Sequence, residues 1–211
     1  MSDKANSGEA AGLNPVNVHC PAFEFTGEAI RLANRPDSLE GLTLGLLVNR
    51  KRNADALLEE VGSMLKRDYG VNSVVSLTKA SSSRLAQREL FEELFNDCDV
   101  MISGVGDCGS SASFSICDAL ELERRGMPAA ALVTEALGSN AQATAEVRGA
   151  PEFVFATVPH PIASLLPSEV RAIAEAVTPK IAWILLGKPG RSKGNPPGSG
   201  FPEPAKSLGP T

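Results

Sequence analysis

One cysteine of this sequence lies where a thiol becomes reactive. Cys108 follows an apolar run and two glycines, Gly104 and Gly106, in the segment Val100–Ser111. This pattern predicts a strand, a tight turn and the first turn of a helix, where free backbone N–H groups and the helix dipole favour negative charge. A thiol at such a turn has a lowered pKa and carries thiolate near neutral pH. The alternative is a buried cysteine that packs as a small apolar side chain.

The order of the apolar segments predicts the fold that positions this turn. Five apolar runs of strand length alternate with five helical patterns, which is typical of successive βαβ units around a parallel sheet. We therefore predict an α/β protein with a flavodoxin-like or Rossmann-like three-layer fold and strand order 2-1-3-4-5. In that order the carboxyl ends of the first and third strands border the switch point, where ligands bind. The five runs are Leu42–Asn49, Val71–Leu77, Asp99–Ser103, Pro128–Thr134 and Phe153–Val158.

Local signals predict where several helices begin and end. Gly70 is a C-cap for the first helix, and the serines at 81–83 offer an N-cap for the second. Asp107 is expected to cap the helix that follows Cys108, because as a catalytic base it would repel a neighbouring thiolate. The pair Thr178–Pro179 is typical of an N-cap followed by the first helical residue, so we predict that a new helix begins there.

Polar residues that follow the five strands are candidates for the chemistry around Cys108. His160, held between two prolines, and Glu135 are candidate proton-transfer residues, although Glu135 could instead cap a helix. Lys51 could neutralise a substrate carboxylate or belong to a solvated loop, and Asn53 could bind ligand or cap a helix. We predict that Cys108, His160 and Glu135 are catalytic. The predicted substrate contacts are Asn49, Lys51, Asn53, Gly106, Gly109, Ser110, Ser111 and Thr134, and no metal ligand is predicted.

Composition limits the classes of protein to which the chain can belong. Its 211 residues are 43% apolar, which suits one ordinary globular domain with extensions. A net charge of −5 argues against a nucleic-acid partner, and the apolar runs are too short to predict a membrane partner. The N-terminus lacks the apolar core of a secretory signal. Four cysteines without a Cys-x-x-Cys pair predict neither a disulfide framework nor a zinc site, and they favour a cytoplasmic protein.

We predict four segments along the chain. Residues 1–17 are small and polar and are expected to be disordered. Residues 18–41 carry enough apolar side chains to form an arm that packs on the body. Residues 42–187 hold all the strand and helix patterns and form a single α/β domain. Residues 188–211 are rich in Gly, Pro, Ser and Lys and are expected to form a disordered tail.

Several separated motifs resemble the UGSC family, which is named for a selenocysteine–Gly–Ser–Cys motif and has many members with cysteine in place of selenocysteine. The motifs are the segment 35–55, the segment 103–128 around CGSS, VTEA at 133–136 and VPHPI at 158–162. The resemblance covers most of the body and implies that Cys108 occupies the selenocysteine position as a strong nucleophile. The family is also distantly similar to the selenoprotein B subunits of glycine-reductase-type systems, in which a selenolate takes part in reductive cleavage.

The sequence departs from the family motif at Ser111, which stands where the family has its last cysteine. A disulfide or selenenylsulfide within the motif is therefore not available, and an external thiol would have to complete any redox cycle. The first loop also differs, since NRKRNAD at 49–55 stands where the family more often has a glycine and a proline.

These observations leave three functions open. In the first, which we adopt, Cys108 attacks a small molecule and brings about reductive or lyase-type cleavage of a carbon–heteroatom bond. This function needs no resident cofactor, and its reductive form uses an external thiol. In the second, a single cysteine transfers a proton to a carbanion, as in the aspartate/glutamate racemase superfamily and its decarboxylases. In the third, the chain is a non-enzymatic binding subunit or a thiol redox sensor. The implied partners are a small-molecule substrate, a second copy in a homo-oligomer, or a reductase subunit.

Overall fold

The structure, a computed structural model, describes residues 29–187 of the protein. The predicted disorder of residues 1–17 and 188–211, and the arm up to residue 28, lie outside the described residues. Strands and helices alternate along the chain, with a short 3₁₀ helix at Glu135–Leu137. The elements are β1 (Thr43–Val48), α1 (Ala54–Tyr69), β2 (Ser73–Thr78), α2 (Arg88–Asp97), β3 (Val100–Gly106), α3 (Gly109–Arg124), β4 (Ala129–Thr134), α4 (Gly138–Val147), β5 (Ala156–Val158) and α5 (Pro167–Leu186).

The five strands form one parallel sheet in the order β2-β1-β3-β4-β5, which confirms the predicted α/β fold and strand order. The three central strands are buried along nearly their whole length, because helices cover both faces of a parallel sheet. This burial explains why the sequence contains continuous apolar runs there. β5 starts at Ala156 rather than at Phe153, since Phe153 N–H donates to the carbonyl oxygen of Ala150 in a turn at 2.9 Å.

The helices form a layer on each face of the sheet. α1 and α5 share one core with residues of β1 and β3, and α2, α3 and α4 share the core on the other face. α1 ends as predicted at Gly70, which has a left-handed backbone (φ 73°) and donates its N–H to the carbonyl oxygen of Leu65. Within residues 29–187, none of the helices has the length and apolar character that a membrane span requires.

α2 begins later than the sequence predicts. Gln87 occupies its N-cap position, so the three serines at 81–83 do not cap this helix. Instead, Ser81 Oγ accepts a hydrogen bond from the N–H of Ser83 at 3.2 Å, and the hydroxyl of Ser83 lies 3.0 Å from that of Ser110. The serine segment therefore connects the loop after β2 with the start of α3.

α5 is one continuous helix, so the prediction of a new helix at Thr178–Pro179 is wrong. The Thr178 hydroxyl donates to the carbonyl oxygen of Ala174 one turn earlier, at 2.7 Å, instead of capping a helix start. A proline removes one backbone hydrogen bond from a helix interior. Because Val177 and Ile181 are buried in the core on either side of it, packing outweighs that loss and overrides the local signal.

The described part of the arm lies at the sheet edge opposite to Cys108. Ala33 N–H donates to Glu123 Oε2 at 2.7 Å, and the Arg35 guanidinium pairs with Glu123 Oε1 at 2.5 Å. Glu123 is fully buried in the last turn of α3. Cys108 precedes the first turn of the same helix, roughly 22 Å away at 1.5 Å per residue. Residues 29–41 therefore run far from the predicted site.

Candidate active site

β3 carries an extra residue just before the predicted reactive turn. Gly104 and Gly106 pair with consecutive residues of β4, so Val105 has no counterpart there. Such a bulge redirects the end of a strand, and β3 continues through Gly106 instead of turning at Gly104 as predicted. A Cβ on Gly106 would lie 2.6 Å from the Cα of Ala112. The structure thus makes Gly106, a predicted substrate contact, a point of close packing between β3 and α3.

Cys108, not Asp107, occupies the N-cap position of α3, so the predicted cap at Asp107 is wrong. Cys108 has an extended backbone, and its Sγ accepts a hydrogen bond from the N–H of Ser111. In return, Ser111 Oγ accepts hydrogen bonds from the N–H groups of Asp107 and Cys108, each at 3.0 Å. These bonds satisfy backbone donors that a helix start leaves open. The buried Ser111 therefore shapes the turn that presents the thiol.

Hydrogen bonds around Cys108 stabilise its thiolate. Burial alone would raise the pKa of this partly buried thiol. Bonds from the hydroxyls of Ser110 and Ser111, from the Ser111 N–H and from Lys51 outweigh that effect and lower the pKa to about 6. The two hydroxyl oxygens lie 3.5 Å and 3.2 Å from Sγ. At pH 7, roughly nine-tenths of such a thiol is ionised.

The other described cysteines are not activated. Burial, together with nearby acidic residues, raises the pKa of Cys98 to about 11, and burial also raises the pKa of Cys117. Both thiols are buried and free. Within residues 29–187, Cys108 therefore has no second thiol as a partner, and Cys20 lies outside the described residues. Among residues 29–187, Cys108 is therefore the one cysteine whose pKa is lowered.

Asn49 organises the loop that follows β1. Its buried amide donates to the carbonyl oxygen of Val105 at 2.8 Å and lies 3.5 Å from the Ser115 hydroxyl. Its Oδ1 accepts the N–H of Lys51 at 3.2 Å. These bonds join the loop to the bulge of β3 and to α3, and they hold Lys51, whose ammonium helps to lower the pKa of Cys108. The amide of Asn49, a predicted substrate contact, is engaged with protein atoms.

Asn53 joins the same loop to the segment after β5. It occupies the N-cap position of α1 in a left-handed conformation (φ 64°), but its side chain makes no capping bond. Its amide instead donates to the carbonyl oxygens of Ile162 at 2.8 Å and Leu165 at 3.0 Å. Asn53 thus holds two loops of the carboxyl edge together, and its predicted contact with a substrate stays a prediction.

His160 bonds to Asp107 and Thr134 at the same edge. Its Nδ1 lies 3.1 Å from Asp107 Oδ1 and 2.9 Å from Thr134 Oγ1. Asp107 Oδ1 also accepts the N–H of Ile162 at 3.3 Å, and the Thr134 hydroxyl donates to the carbonyl oxygen of Gly106 at 3.2 Å. Within residues 29–187, the His160 ring forms no hydrogen bond with Cys108 Sγ. Its partner Asp107 is nevertheless the residue directly before Cys108.

The remaining predicted residues differ in their surroundings. Glu135 is exposed in the 3₁₀ helix after β4, and its carboxylate forms no hydrogen bond or ion pair within the described part of the chain. Gly109 and Ser110 are exposed in the first turn of α3, where backbone N–H groups have no intrahelical acceptor. Their N–H groups are therefore open to an anion beside Sγ.

Several polar residues behind the site were not predicted as functional. Ser83 contacts Ser110, whose hydroxyl bonds to the thiol. Lys79, directly after β2, forms a buried ion pair with Asp118 of α3, whose Oδ1 also accepts the N–H of Ala86 at 2.9 Å. Burial raises the pKa of Asp118 to about 6, although Lys79 acts in the opposite direction. The signals that could have revealed this pair are a lysine at a strand end and an aspartate on an apolar helix face.

The fold and the site together define a class: a parallel α/β protein with a cysteine of lowered pKa at the switch point of its sheet. A model of the UGSC family matches residues 17–187. Because this match spans most of the chain, the protein belongs to the UGSC family, and the predicted family is confirmed. The chain matches none of the curated proteins with which it was compared. Among residues 29–187, no group of three or more His, Cys, Asp or Glu is placed to hold a metal ion.

Proposed function

We propose that this protein is a thiolate-dependent enzyme in which Cys108 Sγ attacks a small anionic molecule and brings about cleavage of a carbon–heteroatom bond. The observation that carries the proposal is the pKa of Cys108, which is lowered to about 6 while burial raises those of Cys98 and Cys117. A cysteine that only packs needs no such stabilisation, and the thiolate is the nucleophilic form. Family membership supports the same residue, because the resemblance of the segment around CGSS to the UGSC motif implies that Cys108 occupies the selenocysteine position.

Positive groups around the thiol favour an anionic substrate. Lys51 helps to lower the pKa of Cys108, and its neighbours Arg50 and Arg52 are exposed. Neither arginine forms an ion pair within residues 29–187. The first turn of α3 adds the open N–H groups of Gly109 and Ser110, which also favour an anion. In a chain with a net charge of −5, this cationic loop suits a carboxylate or a similar small anion.

The reductive form of the reaction needs a second thiol from outside the chain. Sγ attacks the heteroatom, a sulfur–heteroatom bond forms, and the carbon–heteroatom bond breaks. Its electron pair stays with carbon, which takes up a proton. An external thiolate then attacks the heteroatom, forms a new sulfur–heteroatom bond to it, and releases the Cys108 thiolate. The carbon is reduced and the external thiol is oxidised. We propose a small thiol or a reductase subunit as this reductant, in the cytoplasm, where thiols stay reduced.

The lyase-type form differs in its electron balance. Sγ displaces the heteroatom group from carbon together with the electron pair of its bond. Loss of a proton from the adjacent carbon then expels Sγ as thiolate and forms a double bond, so no oxidation state changes overall and no external thiol is consumed. A second candidate function, proton transfer to carbon by a single cysteine, is favoured by the lack of a second thiol partner for Cys108 within residues 29–187. In that reaction, the Cys108 thiol gives its proton to a carbanion and no carbon–heteroatom bond breaks.

Alkylation of Cys108 across a wide pH range tests the proposal. Full-length protein is treated with iodoacetamide, and the modification of Cys108 is followed by mass spectrometry of its peptide. We expect a rate profile with a midpoint near 6, because the thiolate is the reacting form. A midpoint near about 8.5, the pKa of an unperturbed cysteine thiol, would contradict the proposal. Cys108→Ser is the control that identifies modification at other sites.

A substrate panel then separates the reaction classes. Small carboxylates with carbon–sulfur, carbon–nitrogen, carbon–oxygen or carbon–halogen bonds are offered to the wild type and to Cys108→Ala, with and without dithiothreitol. Cleavage that requires the added thiol supports the reductive form, whereas cleavage without it supports the lyase-type form. Incorporation of deuterium from D₂O at carbon without bond cleavage would replace both by the proton-transfer function.

A further inference from the structure

The groups that face Nδ1 of His160 determine which tautomer the neutral ring adopts. Two oxygens lie within hydrogen-bond distance of this nitrogen: Asp107 Oδ1 at 3.1 Å and Thr134 Oγ1 at 2.9 Å. A neutral imidazole carries one hydrogen, on either Nδ1 or Nε2, and the hydrogen bonds of the ring decide which. The tautomer of His160 therefore depends on whether each of these oxygens donates a hydrogen to Nδ1 or accepts one from it.

The Asp107 oxygen decides the direction of these bonds, and Thr134 is compatible with it. The carbonyl oxygen of Gly106 lies 3.2 Å from Thr134 Oγ1 and can only accept, so the hydroxyl hydrogen can occupy that bond while Thr134 Oγ1 offers a lone pair to the ring. Asp107 Oδ1 accepts the N–H of Ile162 at 3.3 Å, and a carboxylate has no hydrogen to give. Nitrogen Nδ1 must therefore carry the hydrogen, because an unprotonated Nδ1 would face a lone pair of the Asp107 carboxylate.

We infer that Asp107 and Thr134 are positioning residues that keep the hydrogen of His160 on Nδ1 and leave Nε2 as the basic atom of the site. The inference rests on the proposed function, since it assigns the group that exchanges protons with the substrate of Cys108. In the lyase-type form, Nε2 takes the proton that leaves the substrate, the Asp107 carboxylate stabilises the resulting imidazolium, and Nε2 then gives the proton to the leaving group. In the reductive form, Nε2 takes the proton of the external thiol and gives it to the carbon.

The position of the ring suits this role. His160 follows β5, Thr134 ends β4 and Asp107 follows β3, so the ends of three strands hold the imidazole from one side. The side chain of His160 is 38% exposed, which leaves part of the ring open to a ligand. Glu135, the other predicted proton-transfer residue, forms no hydrogen bond or ion pair within the described residues that would orient its carboxylate.

Nuclear magnetic resonance of the imidazole nitrogens tests the inference directly. The sequence has two histidines, so His19→Gln leaves His160 as the single ring in full-length protein labelled with ¹⁵N-histidine. Spectra are recorded at a pH where the titration of the ring itself shows it to be neutral. We expect Nδ1 to have the shift of a protonated nitrogen and Nε2 that of an unprotonated one. A hydrogen on Nε2, or an even mixture of the two forms, would overturn the inference.

Substitutions show whether Asp107 and Thr134 cause this preference. In Asp107→Asn/Thr134→Val, both oxygen acceptors are weakened or lost, and we expect the hydrogen to move to Nε2 in a large fraction of molecules. Thr134→Ser keeps the hydroxyl and should keep the wild-type spectrum. A wild-type spectrum in the double variant would show that neither residue positions the proton. These results are independent of the alkylation midpoint of Cys108, so failure of the inference and failure of the proposed function are distinguishable.

Discussion

Replacement of Lys51 by methionine should raise the pKa of Cys108. The change keeps most of the side-chain length but removes an ammonium that helps to lower the pKa of Cys108. A hydrogen bond that involves a charged group contributes about 1.5–3 kcal/mol, but Cys108 is only partly buried, so water replaces part of the contact. A loss of ~1 kcal/mol corresponds to ~0.7 pKa units at about 1.36 kcal/mol per unit. We expect the midpoint to move upward from about 6 by that amount.

The midpoint of alkylation, rather than its rate at one pH, is the decisive readout. A fall in thiol pKa from about 8.5 to about 6 raises the thiolate fraction at pH 7 about 30-fold. It also lowers the intrinsic nucleophilicity about 13-fold for a Brønsted coefficient near 0.45, so the two effects nearly cancel. A comparison of iodoacetate with iodoacetamide adds a second readout, because only iodoacetate is an anion. We expect Lys51→Met to lower the rate with iodoacetate more than the rate with iodoacetamide.

Two control variants separate a local effect from a change in net charge. Lys51→Arg keeps a cation in the loop and should retain a low midpoint. Lys66→Met removes a cation from the last turn of α1, at the far end of the helix that follows the Lys51 loop, and should leave the midpoint unchanged. An unchanged midpoint in Lys51→Met would refute the assignment of its ammonium to the thiolate. Equal shifts in Lys51→Met and Lys66→Met would refute a local contact.

Four further changes test other parts of the structure. Ser111→Cys places sulfur where the native hydroxyl lies 3.2 Å from Cys108 Sγ. Mild oxidation should then form a disulfide and lower the number of free thiols per molecule by two, whereas the number in the wild type should not change. Gly106→Ala pushes a Cβ to within 2.6 Å of the Ala112 Cα and should lower the free energy of unfolding, measured in urea, by about 1–3 kcal/mol. The wild type should gain stability over Cys108→Ser as the pH rises from about 6 toward about 8.5, because the native thiol loses its proton at lower pH than the unfolded thiol; parallel pH profiles would contradict this. Lys79→Met should lower the free energy of unfolding by ~3–5 kcal/mol, since it leaves the buried Asp118 carboxylate without its cation. The double variant Lys79→Met/Asp118→Leu should recover much of that stability.

The fold could be predicted because its signals are local and repeated. β3 and β4 are buried on both faces, so each is an uninterrupted apolar run, and the alternation with helical patterns leaves few possible topologies. The place of Cys108 at a helix start follows from the same segment of chain. The contribution of Lys51 does not follow from that segment, because Lys51 comes after another strand, and only the predicted strand order brings the two strand ends together.

The partners of the polar residues could not be predicted from their neighbours in the chain. An aspartate before a helix has the same local signal whether it caps that helix or, like Asp107, turns toward His160 after a distant strand. Ser83 and Asn53 likewise have capping signals, but they bond across loops to Ser110 and to the segment after β5. Hydrogen bonds between strand ends depend on the tertiary arrangement, which local propensity does not encode.

The geometry of the arm has a practical consequence for handling the protein. The Cγ of Arg35 lies 2.6 Å from the position that a Cβ would take on Gly187, so the arm and the end of α5 meet beside the buried Glu123. Cys108 lies at the other end of α3, on the opposite rim of the molecule. A dye, a fusion partner or a solid support attached near Arg35 or Gly187 would therefore lie at the end of α3 that is opposite to Cys108, and the thiol would stay accessible from solution.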